Sequence, residues 1–170
     1  MLRVTIRIGE LADSSLVARK LAPARRVLVA SPEYLARHGE PHEPGDLARH
    51  RCLNFGHTTT LQRWQLTRDG ETISVPISSS LCSNNGDVLA AAARKGQGIT
   101  MLPTFLVGAD IAAGRLRVVM AEYPPSELGI YALYAPNRYL AAKTRVLIDF
   151  LADRFGDRPE WDAFGENPPS

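Results

Sequence analysis

The chain has 170 residues, 45 % of them hydrophobic and 22 % charged, with a net charge of +2. Those proportions exclude a disordered, collagen-like or coiled-coil chain and fit one domain or two small lobes. No uninterrupted apolar run is longer than Val88–Ala93, which falls far short of the roughly 20 residues that span a bilayer. Arg3 and Arg7 also interrupt what would be the apolar core of a signal peptide. A soluble, cytoplasmic protein with no membrane partner is the expectation.

The pattern alternates between period 2 and period 3.6 along the chain, which predicts an α/β fold. Val4, Ile6 and Ile8 alternate with Thr5 and Arg7 and stop at Gly9, so residues 3–8 read as a strand. Val27–Ala30 is a second. Ser31 and Pro32 suit the cap and first turn of a short helix over Pro32–His38, which Gly39 stops. A further turn is expected at Asp46–Arg49 and a strand at Cys52–Phe55. Trp64–Arg68, Asp69-Gly70 and Glu71–Val75 predict a β-hairpin, because Asp-Gly supplies the positive φ angles of a type I′ turn.

Ile77–Ser83 reads as a strand, followed by a helix over Gly86–Lys95 capped by Asn84 or Asn85. Val88, Leu89 and Ala92 are expected on its buried side, and Gly96 as its stop. Ile99–Leu102 is a short strand, Pro103 opens a helix that Gly114 closes, and Leu116–Met120 is another strand. After the linker-like Glu122–Glu127 come a strand at Ile130–Tyr134 and a long helix at Tyr139–Phe155, with Leu140, Leu147, Phe150 and Leu151 expected inward. The proline-bearing stretch 157–170 reads as a flexible tail in which Trp161 and Phe164 are the residues able to dock.

Motifs of catalysis are missing: there is no G-x-S-x-G elbow, H-E-x-x-H pair or phosphate-binding G-x-x-x-x-G-K-[ST] loop. An enzyme is therefore not expected. Gly96-Gln-Gly98 lacks the third glycine of a dinucleotide fingerprint and follows a helix instead of opening one. It reads as a helix stop and a tight turn. Cys52 and Cys82 fit no metal-ligand spacing and read as reduced, inert thiols. His38, His42 and His50 lie in or beside polar turns, so no metal is expected. The seventeen Arg and three Lys are interspersed with eighteen acidic residues, which gives no support to DNA binding by this chain itself.

Two segments invite a ligand. Gly56-His57-Thr58-Thr59-Thr60 follows the strand Cys52–Phe55, and loops at the carboxyl ends of strands are where open α/β sheets bind ligands. The same residues also make an ordinary turn. Asn84-Asn85-Gly86-Asp87 opens a helix whose N-terminal amides favour anions, although both Asn residues have capping to do as well.

The order and spacing of several segments resemble the effector-binding domain of LysR-type transcriptional regulators. They are Ile6–Leu16, Ala18-Arg19, Ala30–Ala36, Pro44-x-Asp-Leu47, Cys52-Leu53, Trp64 ahead of the hairpin, and Gly96-x-Gly-Ile-x-x-Leu-Pro103. Gly114-x-Leu116, Tyr131-x-Leu-Tyr134 and Pro136-Asn-Arg138 complete the set. The match runs from about residue 3 to residue 155.

The resemblance implies an α/β fold like that of type 2 periplasmic binding proteins. Two lobes would be joined by crossovers near Val27–Ser31 and Leu128–Tyr131. Residues 31–127 would form a complete second lobe, and residues 1–30 with 128–156 a partial first lobe. It implies a small-molecule effector, often an organic acid or aromatic metabolite, and no cofactor. By position, Gly9, Ser31, Gly56, His57, Thr58, Asn84, Asn85, Pro103 and Thr104 would line the effector site. The family reads DNA through a helix-turn-helix that this chain lacks, so transcription would be controlled only in the context of such a domain. Val4–Ile8 would lack its strand neighbours, which predicts self-association or pairing with a full-length regulator. The alternatives are a truncated interaction module that pairs with intact regulators, and a stand-alone small-ligand-binding protein.

Overall fold

The computed structural model describes residues 4–9, 16–56, 62–135 and 142–164. In chain order these form β1 (Val4–Gly9), β2 (Val17–Ala24), β3 (Arg26–Ala30), α1 (Pro32–His38), a 3-10 turn (Pro44–Arg49), β4 (Cys52–Phe55), β5 (Gln62–Arg68), β6 (Glu71–Ile77) and β7 (Ser79–Ser83). There follow α2 (Gly86–Arg94), β8 (Ile99–Pro103), α3 (Thr104–Ala112), β9 (Arg117–Val119), β10 (Leu128–Tyr134), α4 (Ala142–Phe155) and a last 3-10 turn (Glu160–Asp162). The chain divides into two compact units, the larger built on Arg26–Ser126 and the smaller on Met1–Arg25 with Glu127–Ala163. The whole of β3 belongs to the larger unit, because it pairs with β8 on one side and β9 on the other.

The larger unit is organised on a five-stranded sheet in the order β7-β4-β8-β3-β9. β4 runs parallel to both β7 and β8, whereas β3 is antiparallel to β8 and β9. Successive side chains point to opposite faces, so each strand contributes to two cores. Val29, Leu53 and Leu102 pack with Leu89, Ala90 and Ala93 of α2, Val107 of α3 and Leu116. On the other face Leu28, Ala30, Cys52 and Ile99 pack with Tyr34, Leu35 and Leu47, and with Trp64, Leu66, Val75 and Ile77 of the hairpin β5–β6.

That hairpin turns at Asp69 and Gly70 with φ of 52° and 82°, the left-handed pair that a type I′ turn requires. The single strand expected over Ile77–Ser83 is instead shared between two sheets. Ile77 pairs with Gln62 in the hairpin, while Ser79–Ser83 lies beside β4. In α2 the buried stripe is Gly86, Leu89, Ala90 and Ala93, and Val88 is 46 % exposed, contrary to the expected phase. Gly86 fixes that phase by approaching α3 closely; a Cβ there would come within 2.4 Å of Leu106 Cδ1.

Beneath the hairpin, Arg51 N–H donates to Tyr34 Oη at 3.0 Å, and that oxygen lies 3.0 Å from His50 Nδ1. The phenol proton is then directed at Nδ1, which serves as the bare nitrogen of a neutral ring. Burial lowers the His50 pKa, the charges of His38 and Arg49 act in the same sense, and Asp46 opposes them. Folding therefore disfavours the protonated ring. The stability held by His50 is present above the ordinary histidine pKa of about 6.5 and is lost as pH falls through that value towards the depressed one. Between about pH 7 and 5 the urea midpoint of the wild type is expected to fall more steeply than that of His50→Gln. Parallel slopes would exclude His50 as the cause. Burial also pushes the Cys52 thiol up to about 12, and neither cysteine forms a disulfide.

The smaller unit is an antiparallel sheet in the order β1-β10-β2. Its β2 has no counterpart among the strands expected from the sequence. Val17–Ala24 contains three Ala, a Lys, an Arg and a Pro, residues of poor strand propensity. Pairing with β10 and burial of Leu21, Ala22 and Ala24 override that preference, and Pro23 is tolerated because β2 is an edge strand. α4 covers β2 and β10 through Thr144, Ile148, Leu151, Ala152 and Phe155. Leu147 and Phe150, expected inward, are 48 % and 61 % exposed, and Leu140 lies outside the described residues. Ile148 sets the face, and positions 147 and 150 point about 100° or more away from it. Past α4 the expected flexible tail is in part packed. Trp161 meets Phe155 edge-on at 5.4 Å between ring centroids, and Arg154 binds both carboxylate oxygens of Glu160. Residues 165–170 lie outside the described residues.

Candidate ligand-binding site

Parallel pairing of β4 with β7 and β8 places the carboxyl ends of all three strands at one end of the sheet. Gly56 follows β4, Asn84 and Asn85 follow β7, and Pro103 and Thr104 join β8 to α3. The Gly56 N–H donates to Ser83 O at 3.0 Å, tying the first two loops together. Asn85 caps α2, its Oδ1 accepting from Asp87 N–H at 2.9 Å, and its own N–H donates to Ser83 Oγ. Thr104, the first residue of α3, is buried, and Pro103 supplies no side-chain cap to that helix. The N-termini of α2 and α3 thus open at the same end, where their aligned peptide dipoles favour a negatively charged group.

Five of the expected site residues are therefore brought together: Gly56, Asn84, Asn85, Pro103 and Thr104. His57 and Thr58 lie outside the described residues. Gly9 ends β1 in the smaller unit, in register with Gly129. Ser31 is placed elsewhere. Because β3 is antiparallel to β8, Arg26 sits opposite Pro103 and the chain leaves β3 at the far end of the sheet. There the Ser31 hydroxyl caps Tyr34 N–H at 3.1 Å, and its oxygen lies 3.5 Å from where a Gly96 Cβ would stand. The direction of β3 depends on its partners, which its own apolar run does not encode.

Asn54 is a residue that the sequence pattern does not single out. Its Oδ1 accepts from the Trp64 indole N–H at 3.0 Å, while its Nδ2 is buried with no acceptor among the described residues. That nitrogen lies 3.7 Å from the position of a Cβ on Gly56, so it faces the loop after β4. A buried unpaired amide donor costs about 1–3 kcal/mol and marks a place where a polar group is wanted. The one signal the sequence offers is a polar residue at a buried position of an apolar strand. Among the described residues no group of three or more His, Cys, Asp or Glu side chains is placed to hold a metal. No helix there is long and apolar enough to cross a membrane.

A family model for the LysR substrate binding domain matches residues 3–156. The chain belongs to this family. The LysR domain is 36 % identical over 155 residues to the HTH-type transcriptional regulator CrgA of Neisseria meningitidis, covering 91 % of this chain and 52 % of that protein. It is 37 % identical over 158 residues to the HTH-type transcriptional regulator PtxR of Pseudomonas aeruginosa, covering 92 % and 50 %. The solved CrgA regulatory domain superposes with a TM-score of 0.76 at 36 % identity, over 90 % of this chain and 75 % of that one. Full-length AphB of Vibrio cholerae gives 0.76 at 31 % identity, over 88 % and 51 %. The LysR domain thus has the α/β, type 2 periplasmic-binding-protein-like fold, and it spans about half the length of the curated relatives it matches. Those relatives are transcriptional regulators, not enzymes.

Proposed function

We propose that this LysR domain is the effector-sensing part of a transcriptional regulator, seating a small anionic metabolite on the loops after β4, β7 and β8. The observation that carries this reading is the shared end of the sheet. Two helix N-termini and the Asn54 Nδ2, which has no acceptor among the described residues, lie at that end. The positive dipole ends and the Asn54 amide donor suit the carboxylate of an organic or aromatic acid. Output on DNA belongs to a helix-turn-helix domain of the kind named in the relatives' descriptions, and the effector acts by binding two states of the regulator unequally.

A panel of aliphatic and aromatic carboxylic acids, screened by amide chemical shifts in NMR, tests the site. At least one acid is expected to give saturable shifts at Gly56, Asn85 and Thr104, with affinity falling about tenfold or more in Asn54→Leu. Acids that bind while sparing all three amides would refute the assignment.

A specific feature of the smaller unit also favours a protein partner. Ile6 and Ile8 share a sheet face with Ala132 and Ile130, their partners in register, yet are 48 % and 44 % exposed. α4 leaves them uncovered and adds the exposed Leu147 and Phe150, while β1 is an edge strand that pairs on one side only among the described residues. A second LysR-type chain, either a copy of this one or a full-length regulator, is the proposed cover. Analytical ultracentrifugation at tens of micromolar is expected to show concentration-dependent dimers that Phe150→Glu dissociates. A monodisperse monomer would rule the pairing out.

A further inference from the structure

At the end of the sheet opposite the candidate loops, the larger unit holds a concavity of about 510 Å3. It is lined by Ser31, Pro32, Glu33, Arg94, Lys95 and Arg115. Behind it lies Asp110, whose side chain is 8 % exposed and whose two oxygens are both occupied. One accepts from Arg94 Nη1 and the other from Arg115 Nε, each at 2.6 Å. One buried carboxylate therefore holds two guanidinium groups in fixed orientation, each with further N–H groups left over. Lys95 also lines the concavity, and its side chain has no acceptor among the described residues. Glu33 on the rim is paired with Arg37 at 2.6 Å. With Glu33 balanced by Arg37 and Asp110 by one of its two arginines, one guanidinium and Lys95 are left uncompensated.

We propose that this concavity binds a dianionic phosphate group, such as that of a phosphomonoester, between Arg94, Lys95 and Arg115. Guanidinium forks match phosphate oxygens in geometry, and buttressing by Asp110 removes much of the entropy cost of aiming them. The Ser31 hydroxyl oxygen is taken by Tyr34 N–H, and its proton adds one more donor. Burial acts to raise the Asp110 pKa, but the hydrogen bonds and charges of Arg115 and Arg94 outweigh it and hold the carboxyl below its ordinary value. The buttress is therefore charged throughout the neutral range. A purely structural role, in which the triad ties the end of α2 to the end of α3 and Lys95 caps α2, predicts no saturable anion binding that depends on the Lys95 side chain.

The test is titration of the protein with inorganic phosphate against chloride at matched ionic strength, followed by amide shifts in NMR. Saturable shifts centred on Lys95, Gly96 and Gly114 are expected. Lys95→Gln, which leaves the triad intact, is expected to weaken binding about fivefold, and Arg115→Gln about tenfold or more. Circular dichroism confirms that each variant is folded. Three results would overturn the proposal: shifts that rise without saturating and spread over the surface, an unchanged affinity in Lys95→Gln, or shifts centred on Gly56 and Asn85 at the other end of the sheet. The proposal does not rest on the effector reading, so either can fail alone.

Discussion

Gly98→Ala is expected to destabilise the larger unit by about 3 kcal/mol or more, because the added methyl has no room and its neighbours cannot yield. A Cβ at Gly98 would stand 2.3 Å from the Arg51 carbonyl oxygen and 3.0 Å from its carbon. Both are backbone atoms. That carbonyl also accepts the Ile99 N–H at 2.9 Å, the contact that brings β8 into register beside β4. Relieving the clash therefore means breaking the pairing of two central strands. For a chain of this length the loss corresponds to a fall in Tm on the order of 10 °C. Gly45→Ala is the matched control, since its Cβ would meet only Glu43 Oε1 at an ordinary 3.9 Å, and it is expected to change stability by less than about 0.5 kcal/mol. Equal midpoints for the two variants in urea would refute the account.

Trp64→Ala is expected to cost about 3–5 kcal/mol, the range for emptying a buried aromatic site. Trp64 is 2 % exposed and packs in the core between the sheet and the hairpin. Its indole N–H also satisfies Asn54 Oδ1, so removal leaves that buried amide with both ends unmet. Trp64→Phe separates the two contributions. It keeps most of the apolar contact and is expected to lose about 1–3 kcal/mol, chiefly for the orphaned carbonyl. Urea denaturation followed by far-UV circular dichroism makes the comparison, because Trp161 would confuse fluorescence. A phenylalanine variant as unstable as the alanine variant would mean that the hydrogen bond, not the packed volume, holds the hairpin in place.

Some features of the fold are legible from neighbouring residues alone. Gly96 and Gly98 sit between a helix and a strand, and the structure gives Gly96 a φ of 70° and Gly98 its close backbone approach. Helix stop and tight turn is therefore the correct reading of that pair. Local chemistry also suffices for the Asp69-Gly70 turn, for Ser31 and Pro32 at the start of α1, and for Asn85 as a cap. Each depends only on residues a few positions apart. The family resemblance draws on the order and spacing of motifs along the whole chain, and a family model matches residues 3–156.

Other features depend on partners remote in sequence, which local patterns do not encode. β2 is a strand because β10 offers a ladder and α4 a cover, although Ala, Lys and Pro argue against one locally. Leu147 and Phe150 lie on an apolar stripe as good as that of Ile148, and only packing decides which stripe is buried. The site shows the same limit. Gly56, Asn84, Asn85, Pro103 and Thr104 converge because β4, β7 and β8 run in one direction, and Ser31 departs from them because β3 runs in the other. Sequence alone determined most of the elements, their caps and turns and the family, since those follow from neighbouring residues and their spacing. Tertiary structure alone decided strand direction, helix phase and which loops share an end, since those are set by pairing and burial across the fold.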